Sequence, residues 1–515
     1  MVLVTAIALA VAATLSQSIS AQPQCPENPS PQIWHVSAGA DRTTANGTRE
    51  RPLPSLREAV RCAQEGAEIR ILTSDRGSLM GGILLKDGQR IVGEGDGVGG
   101  AWPRITAVEG DAVFLSNRNE LAGLHIEVAN GSAVIGDNVT GADLHDLVIT
   151  RLRPGPMARW GPSLCYPVVT KGAFDATASV VRGCDGVLKP RRKGAIVLLA
   201  DGKGGPAVVE HSIRRTTIED GSTEVMDRLW AYGVGVHVAG DVTATVVIEA
   251  SSFTGMMHGI SGTGYQRGAL TLRVKDTSVN NLLRDGVVVS TGFICSGLPS
   301  DVWFSKDCRG RQWVPESDSK VVLYLDGYRY ADTRRRGLRD DATAIEFYGL
   351  DQGRSEIQIH VQDSELIGAA QPAVVYVNVY GYPARQIIDL GCRNPALGDP
   401  QQIGEDRTAC KVAGFTSAGR NRIFGNAWGR DWSSDLSEVA LVGPGKMMAQ
   451  GNYWGDRSPE DGLGDALGDC SRLNWPDGKP IHLESDARCE LWHVPGRPDP
   501  MGIDGRFHLV RDPAR

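Results

Sequence analysis

At 515 residues and a net charge of −7, the chain has no basic excess with which to neutralise a phosphate backbone, which argues against a nucleic-acid-binding protein. No Pro/Ser-rich hinge or low-complexity run divides it, so one long domain accounts for the length without a linker. Its 63 glycines fit a protein with many tight turns, where positive φ is needed repeatedly.

The first 21 residues read as a secretory signal. Val2 to Leu15 is an apolar stretch, and Ser18-Ile19-Ser20-Ala21 offers a small-residue cleavage site. The stretch is too short for a comfortable membrane span, and no later segment reads as transmembrane. No Lys or Arg precedes Arg42, so the usual positive flank is missing. Gln24 stands before Cys25 where a lipoprotein signal needs a small residue, so a soluble secreted or periplasmic protein is expected.

The ten cysteines agree with export, because none has CxxC spacing. As sequential neighbours they pair Cys25 with Cys62, Cys165 with Cys184, Cys295 with Cys308, Cys392 with Cys410, and Cys470 with Cys489. Each bond would close a loop of about 13 to 37 residues and contribute about 3 kcal/mol. Spacing alone leaves the connectivity open.

Residues 22–67 read as an N-terminal arm and a capping helix. Ser55 is an N-cap with Glu58 three residues on, a capping box. Leu56, Ala59, Val60 and Ala63 make the apolar face of a short helix that Gly66 ends, and Cys25 ties the arm to it.

From 68 to 455 one phrase recurs. Val246-Val247-Ile248-Glu249-Ala250-Ser251-Ser252-Phe253, Leu272-Arg273-Val274-Lys275-Asp276-Thr277-Ser278-Val279, Leu323 to Tyr330 and Ile359 to Leu366 each alternate apolar with polar residues, turn, and close on a second apolar point. A third short strand follows at Gly286 to Val289, Ala344 to Phe347 and Ala373 to Tyr376. Three short strands every roughly 22 to 30 residues predict one coil of a solenoid, which must stack to bury its inward face. The fold class is therefore all-β, and the architecture that fits is a right-handed parallel β-helix. Ile248, Val274, Leu325 and Val361 should form an inward column. Val247, Arg273, Tyr324 and His360 form one outward column, and Glu249, Lys275, Asp326 and Gln362 the next. Asp146, Asp276 and Asp363 share a turn, where aspartates ordinarily cap backbone amides.

Longer inserts are expected at about 153–190, 290–320, 327–343 and 392–418. Residues 456–515 lose the periodicity and read as an irregular C-terminal cap clipped by Cys470 and Cys489. Asp461, Asp465 and Asp469, near Asp456 and Glu460, make Ca2+ a candidate ligand of that tail, although an acidic solvated loop is the commoner meaning of such a run. Other metals are not expected. Solenoids with exposed strand faces often trimerise, and the sequence leaves monomer and trimer open.

Three stretches carry a resemblance to a known superfamily. They are Trp34-His35-Val36-Ser37 through Gly47 to Pro52 and Ser55 to Val60, the coils themselves, and Gly419 to Asn426 with Gly451-Asn452-Tyr453-Trp454-Gly455. Together they resemble the pectate-lyase-like superfamily over most of the chain. That resemblance implies a right-handed parallel β-helix and, among its members, lyases, hydrolases, epimerases and non-catalytic surface proteins.

The candidate chemistry lies where each coil leads into its third strand. Met256-Met257-His258-Gly259, Leu283-Arg284-Asp285-Gly286 and Arg339-Asp340-Asp341-Ala342 bring His258, Arg284, Asp285, Arg339, Asp340 and Asp341 onto adjacent rungs. Two carboxylates can divide acid and base work in glycoside hydrolysis, while an arginine can offset a uronate's charge as a base removes the adjacent proton. Asp340-Asp341 and His258-Gly259 partly resemble elements of polygalacturonase-like enzymes, in reversed chain order. Trp303 and Trp313 on one insert and Arg334, Arg335, Arg336 on another suit sugar rings and acidic groups, and Tyr324, Arg273 and His360 are further substrate-binding candidates. The expected function is binding and cleavage or modification of an acidic polysaccharide by a lyase or hydrolase. The alternative is a non-catalytic protein that binds a glycan or a partner on the same face.

Overall fold

The computed structural model describes residues 25–73, 77–95, 102–129, 131–151, 194–202, 205–220, 232–282, 284–291, 293–294, 313–314, 318–331, 342–349, 355–371, 373–378, 385–391, 416–426, 439–442, 447–449 and 452. Among these residues there is one helix, and nearly everything else regular is strand. Twenty strands join one sheet and ten another, and every pairing within both is parallel. The chain is an all-β, parallel, solenoid-like protein.

Each coil contributes a long strand, a short strand and a strand of the second sheet. Thr243–Glu249, Ser252–Thr254 and His258–Tyr265 make one coil, and Ala269–Lys275, Ser278–Asn280 and Val287–Thr291 make the next. Long strands pair with long and short with short. Glu120–Val128 and Ala142–Arg151 run through both ladders and join them into one sheet. Alternation sets the faces: Val246, Ile248, Phe253 and Ile260 are fully buried, and burying each such side chain contributes roughly 2 kcal/mol.

The register is the one the repeat predicts. Ile248 faces Val274, Val274 faces Leu325, and Leu325 faces Val361, while Val247, Arg273, Tyr324 and His360 form the neighbouring outward column. Glu249, Lys275, Asp326 and Gln362 align in the same way.

A repeated corner separates long strand from short. Asp146, Arg215, Ala250, Asp276, Gly327, Asp363 and Arg420 all occupy it with φ between 47 and 65°. The backbone imposes this left-handed geometry on every residue type placed there, at a cost of about 1 kcal/mol or more for those with a Cβ. The expectation that these aspartates cap backbone amides is replaced, at Asp146 and Asp363, by ion pairs. Asp146 is gripped by both arms of Arg215, and Asp363 by both arms of Arg420, one rung away. The residue after the corner turns inward and builds a buried polar ladder. Thr216 N–H donates to Ser251 Oγ, Tyr328 N–H to Ser364 Oγ, Ser364 N–H to Asn421 Oδ1 and Asn421 N–H to Asn452 Oδ1.

The ladder begins earlier than residue 68. Ile33–Val36 already pairs with Glu68–Leu72, so the N-terminal arm supplies the first rung. Gly47 holds φ 82° beneath the Trp34 ring, and a Cβ there would lie 2.5 Å from the indole. The helix Leu56–Cys62 buries Leu56, Ala59 and Val60, and Glu58 N–H donates to Ser55 Oγ at 3.3 Å. It ends at Ala63, before Gly66, because side chains from the next coil take its last carbonyls. Lys86 Nζ donates to Arg61 O, and Gln89 Nε2 to Val60 O and Ala63 O. Cys25 and Cys62 are disulfide-bonded. The other eight cysteines lie outside the described residues, as do the tail acids and most of the inserts. Of the insert at 290–320, Phe293–Ile294 and Trp313–Val314 form an antiparallel pair. No helix among the described residues is long and apolar enough to cross a membrane.

Candidate functional site

The second sheet presents its outward face in rows. Ile260 faces Val287 and Val287 faces Ile345, which sets His258, Asp285 and Thr343, each two residues earlier, on consecutive rungs. The glycine after each of the first two makes this row point outward. A Cβ on Gly259 would strike Val279, and one on Gly286 would strike the buried Tyr328 and Tyr330. With the inward position taken by glycine, the preceding side chain turns to the other face.

His258 Nδ1 lies 3.0 Å from Asp285 Oδ2. Asp285 is 0 % exposed, and its other oxygen accepts the Thr343 backbone N–H at 3.1 Å and the Thr343 hydroxyl at 2.9 Å. Burial alone pushes the Asp285 carboxyl up. The His258 contact, then the charges of Arg284 and His258, and least the neighbouring Glu346, outweigh burial and hold the carboxyl below the usual range. His258 keeps 16 % of its side chain exposed, so it is the member of the pair that reaches solvent. An imidazole in contact with a buried carboxylate, with an arginine next in the chain, is a set of groups that can serve general acid–base chemistry.

The structure thus brings together His258, Arg284 and Asp285 of the residues singled out from sequence. Arg339, Asp340 and Asp341, with Trp303 and Arg334 to Arg336, lie outside the described residues, and of Trp313 the backbone is described. Residues 152–193, 221–231 and 332–341 each join the end of a short strand to the start of a strand of the second sheet. Three connections therefore lead into the second sheet at the strand ends that carry His258 and Asp285.

Arg273, Tyr324 and His360 sit elsewhere, on the outward face of the long strands, and they stack on one another. The Tyr324 and His360 rings lie 4.9 Å apart at 13°, and the Arg273 guanidinium covers the other side of Tyr324 at 4.8 Å. Both faces of the tyrosine are therefore occupied, and only its edge is open to a sugar. His360, 5 % exposed, is pinned by Asp389 Oδ2 at 2.9 Å and by Gln358 Oε1 at 3.3 Å. Asp389 in turn accepts the backbone N–H groups of Thr416 and Ser417.

Several polar residues of the second-sheet face carry no local sequence signal. Glu346 and Thr343 are found only once the rungs are aligned across the preceding insert. Tyr232, the rung before His258, leans over Gly194 and Gly235, and its hydroxyl lies 3.3 Å from His237 Nε2. Burial pushes His237 down to about 4. Further along the same row, burial and then the charge of Asp201 push Asp137 up to about 7. No group of three or more His, Cys, Asp or Glu suited to a metal ion occurs among the described residues.

The chain matches no protein-family model, and it matches none of the curated proteins.

Proposed function

We propose that this is an exported protein of the right-handed parallel β-helix type that binds an acidic polysaccharide and cleaves it by β-elimination. The observation that carries the reading is the His258–Asp285 pair with Arg284 beside it. In such a reaction His258 takes the proton next to a uronate carboxylate while Arg284 offsets the charge that builds up on it. The carbon–carbon double bond forms as the glycosidic C–O bond breaks, and the leaving oxygen takes a proton back from the imidazolium or from water. Lyase chemistry is favoured over hydrolysis because an imidazole backed by a carboxylate, with the charge of Arg284 acting on it, suits proton removal next to a uronate. The helix Leu56–Cys62 would close the N-terminal end of the solenoid, and the remaining cysteine pairs would clip its inserts and tail. The rival reading, a non-catalytic glycan-binding protein, draws on the burial of Asp285, His237 and Glu346 on this face.

The test follows unsaturated uronate absorbance and reducing ends together, on acidic and neutral polysaccharides, with and without calcium. Absorbance that rises with wild-type protein and drops at least about 100-fold for His258→Ala is the expected result. Reducing ends without absorbance would mean hydrolysis, and silence on both channels would leave the binding protein.

A further inference from the structure

Asp285 stands between two rungs and turns one oxygen to each. His258 is on the rung before it and Thr343 on the rung after. Oδ1 accepts the Thr343 backbone N–H at 3.1 Å and the Thr343 hydroxyl at 2.9 Å, while Oδ2 lies 3.0 Å from His258 Nδ1. Asp285 and Thr343 are both fully buried, so water does not compete for these contacts. The main chain of Thr343 is itself tied down, because its carbonyl accepts the Gly286 N–H at 2.9 Å.

We propose that Thr343 is a positioning residue of the His258 site. Its two donors fix the Asp285 carboxylate by Oδ1, and so decide which ring nitrogen of neutral His258 carries the proton. This deepens the lyase reading and rests on it for its consequence, though not for its test. A carboxylate held by two donors from one residue cannot turn about its Cβ–Cγ bond without giving up both hydrogen bonds. Its other oxygen is therefore kept on Nδ1. Threonine suits the place, because its branched Cβ restricts χ1 and holds the hydroxyl where Oδ1 is.

The consequence is a choice of tautomer. A neutral imidazole has one N–H donor and one acceptor nitrogen, and a carboxylate at Nδ1 keeps the proton there. Nε2 is left with the lone pair that a base needs to take a proton from a sugar carbon. Were the carboxylate free to turn, the imidazole proton would spend part of its time on Nε2, and in that fraction His258 would be no base.

The experiment reads the His258 tautomer by NMR in the full-length protein, with the heavy nitrogen isotope in its imidazole rings and at a pH where the ring is neutral. The signals are assigned by their loss in His258→Gln. Wild type should carry the proton on Nδ1. Thr343→Val keeps the shape and removes the hydroxyl, and it should raise the share of the Nε2–H form at least about threefold, as expected for losing a hydrogen bond to a charged group. Thr343→Ser keeps the donor and should match wild type. The wild-type tautomer in a folded Thr343→Val would overturn the proposal and reduce Thr343 to packing. Wild type protonated on Nε2, or a serine variant that behaves like the valine one, would overturn it too. Thr343→Ala stands in if the valine variant does not fold, and failure of both to fold would also overturn the proposal, because the hydroxyl would then serve stability alone. Since this readout needs no substrate, the expected tautomers without any polysaccharide turnover would keep the Thr343 assignment and dismiss the lyase.

Discussion

Asp137 shows what this architecture does to a single titratable group. Its carboxyl shares the amide of Asn138 with Asp201, at 3.1 and 2.8 Å, on a row where His237 is also buried. A carboxyl raised to about 7 contributes stability that is fully present below its unfolded pKa near 4 and is lost as pH rises through 7. The loss is on the order of 4 kcal/mol. Asp137→Asn, which mimics the protonated acid, should therefore raise the melting temperature at pH 8 and leave it nearly unchanged at pH 4. The buried histidines act on the other limb. His211 and His237 are both pushed down to about 4 by burial, so the unfolded chain takes up protons that the folded chain refuses below about pH 6.5. Stability should fall between about pH 6.5 and 4, and His237→Gln should flatten that limb in urea titrations at successive pH values.

At the scale of the element, the corner and its polar ladder are the parts most open to test. Ala250 holds φ 49° where glycine is at ease, so Ala250→Gly should be neutral or stabilising by up to about 1 kcal/mol, the reverse of its effect within a strand. Asn421 donates its side-chain amide to Val361 O and Leu390 O and accepts from Ser364 N–H. Asn421→Ala would leave those groups unsatisfied and should cost about 2–4 kcal/mol, read as a lowered urea midpoint. These elements also mark where sequence was legible. Period-two alternation is a local signal, so the columns from Ile248 to Val361 could be written down before any coordinates. The corner was legible as a turn but not as an ion-pair ladder. The partners Asp146 and Arg215 are far apart in sequence and meet only because the rungs are stacked. The same reason hid Glu346 and Asp389. His258 and Asp285 announce themselves beside glycines, whereas Glu346 looks like an ordinary outward residue of Ile345–Gly349 until its rung is known.

For the whole molecule, a stack in which each coil touches mainly its neighbours should open from its ends. Among the described residues the first rung is Ile33–Val36, and the Cys25–Cys62 bond and the helix Leu56–Cys62 lie next to it in the chain. Cys62→Ser should cost about 3 kcal/mol locally, and hydrogen exchange should accelerate first in Ile33–Val36 and Glu68–Leu72 while the central rungs stay protected. Uniform acceleration along all rungs would mean that the solenoid unfolds as one unit. The second sheet adds a different lesson. Val134, Ile196, Val234, Ile260, Val287, Ile345 and Val374 are consecutive neighbours across its strands, although the chain between them varies widely in length. The ladder counts rungs and ignores residues. Each connection from a short strand to this sheet is thus a replaceable cassette, whose length and sequence can be rewritten by splicing while His258 and Asp285 stay on their rungs.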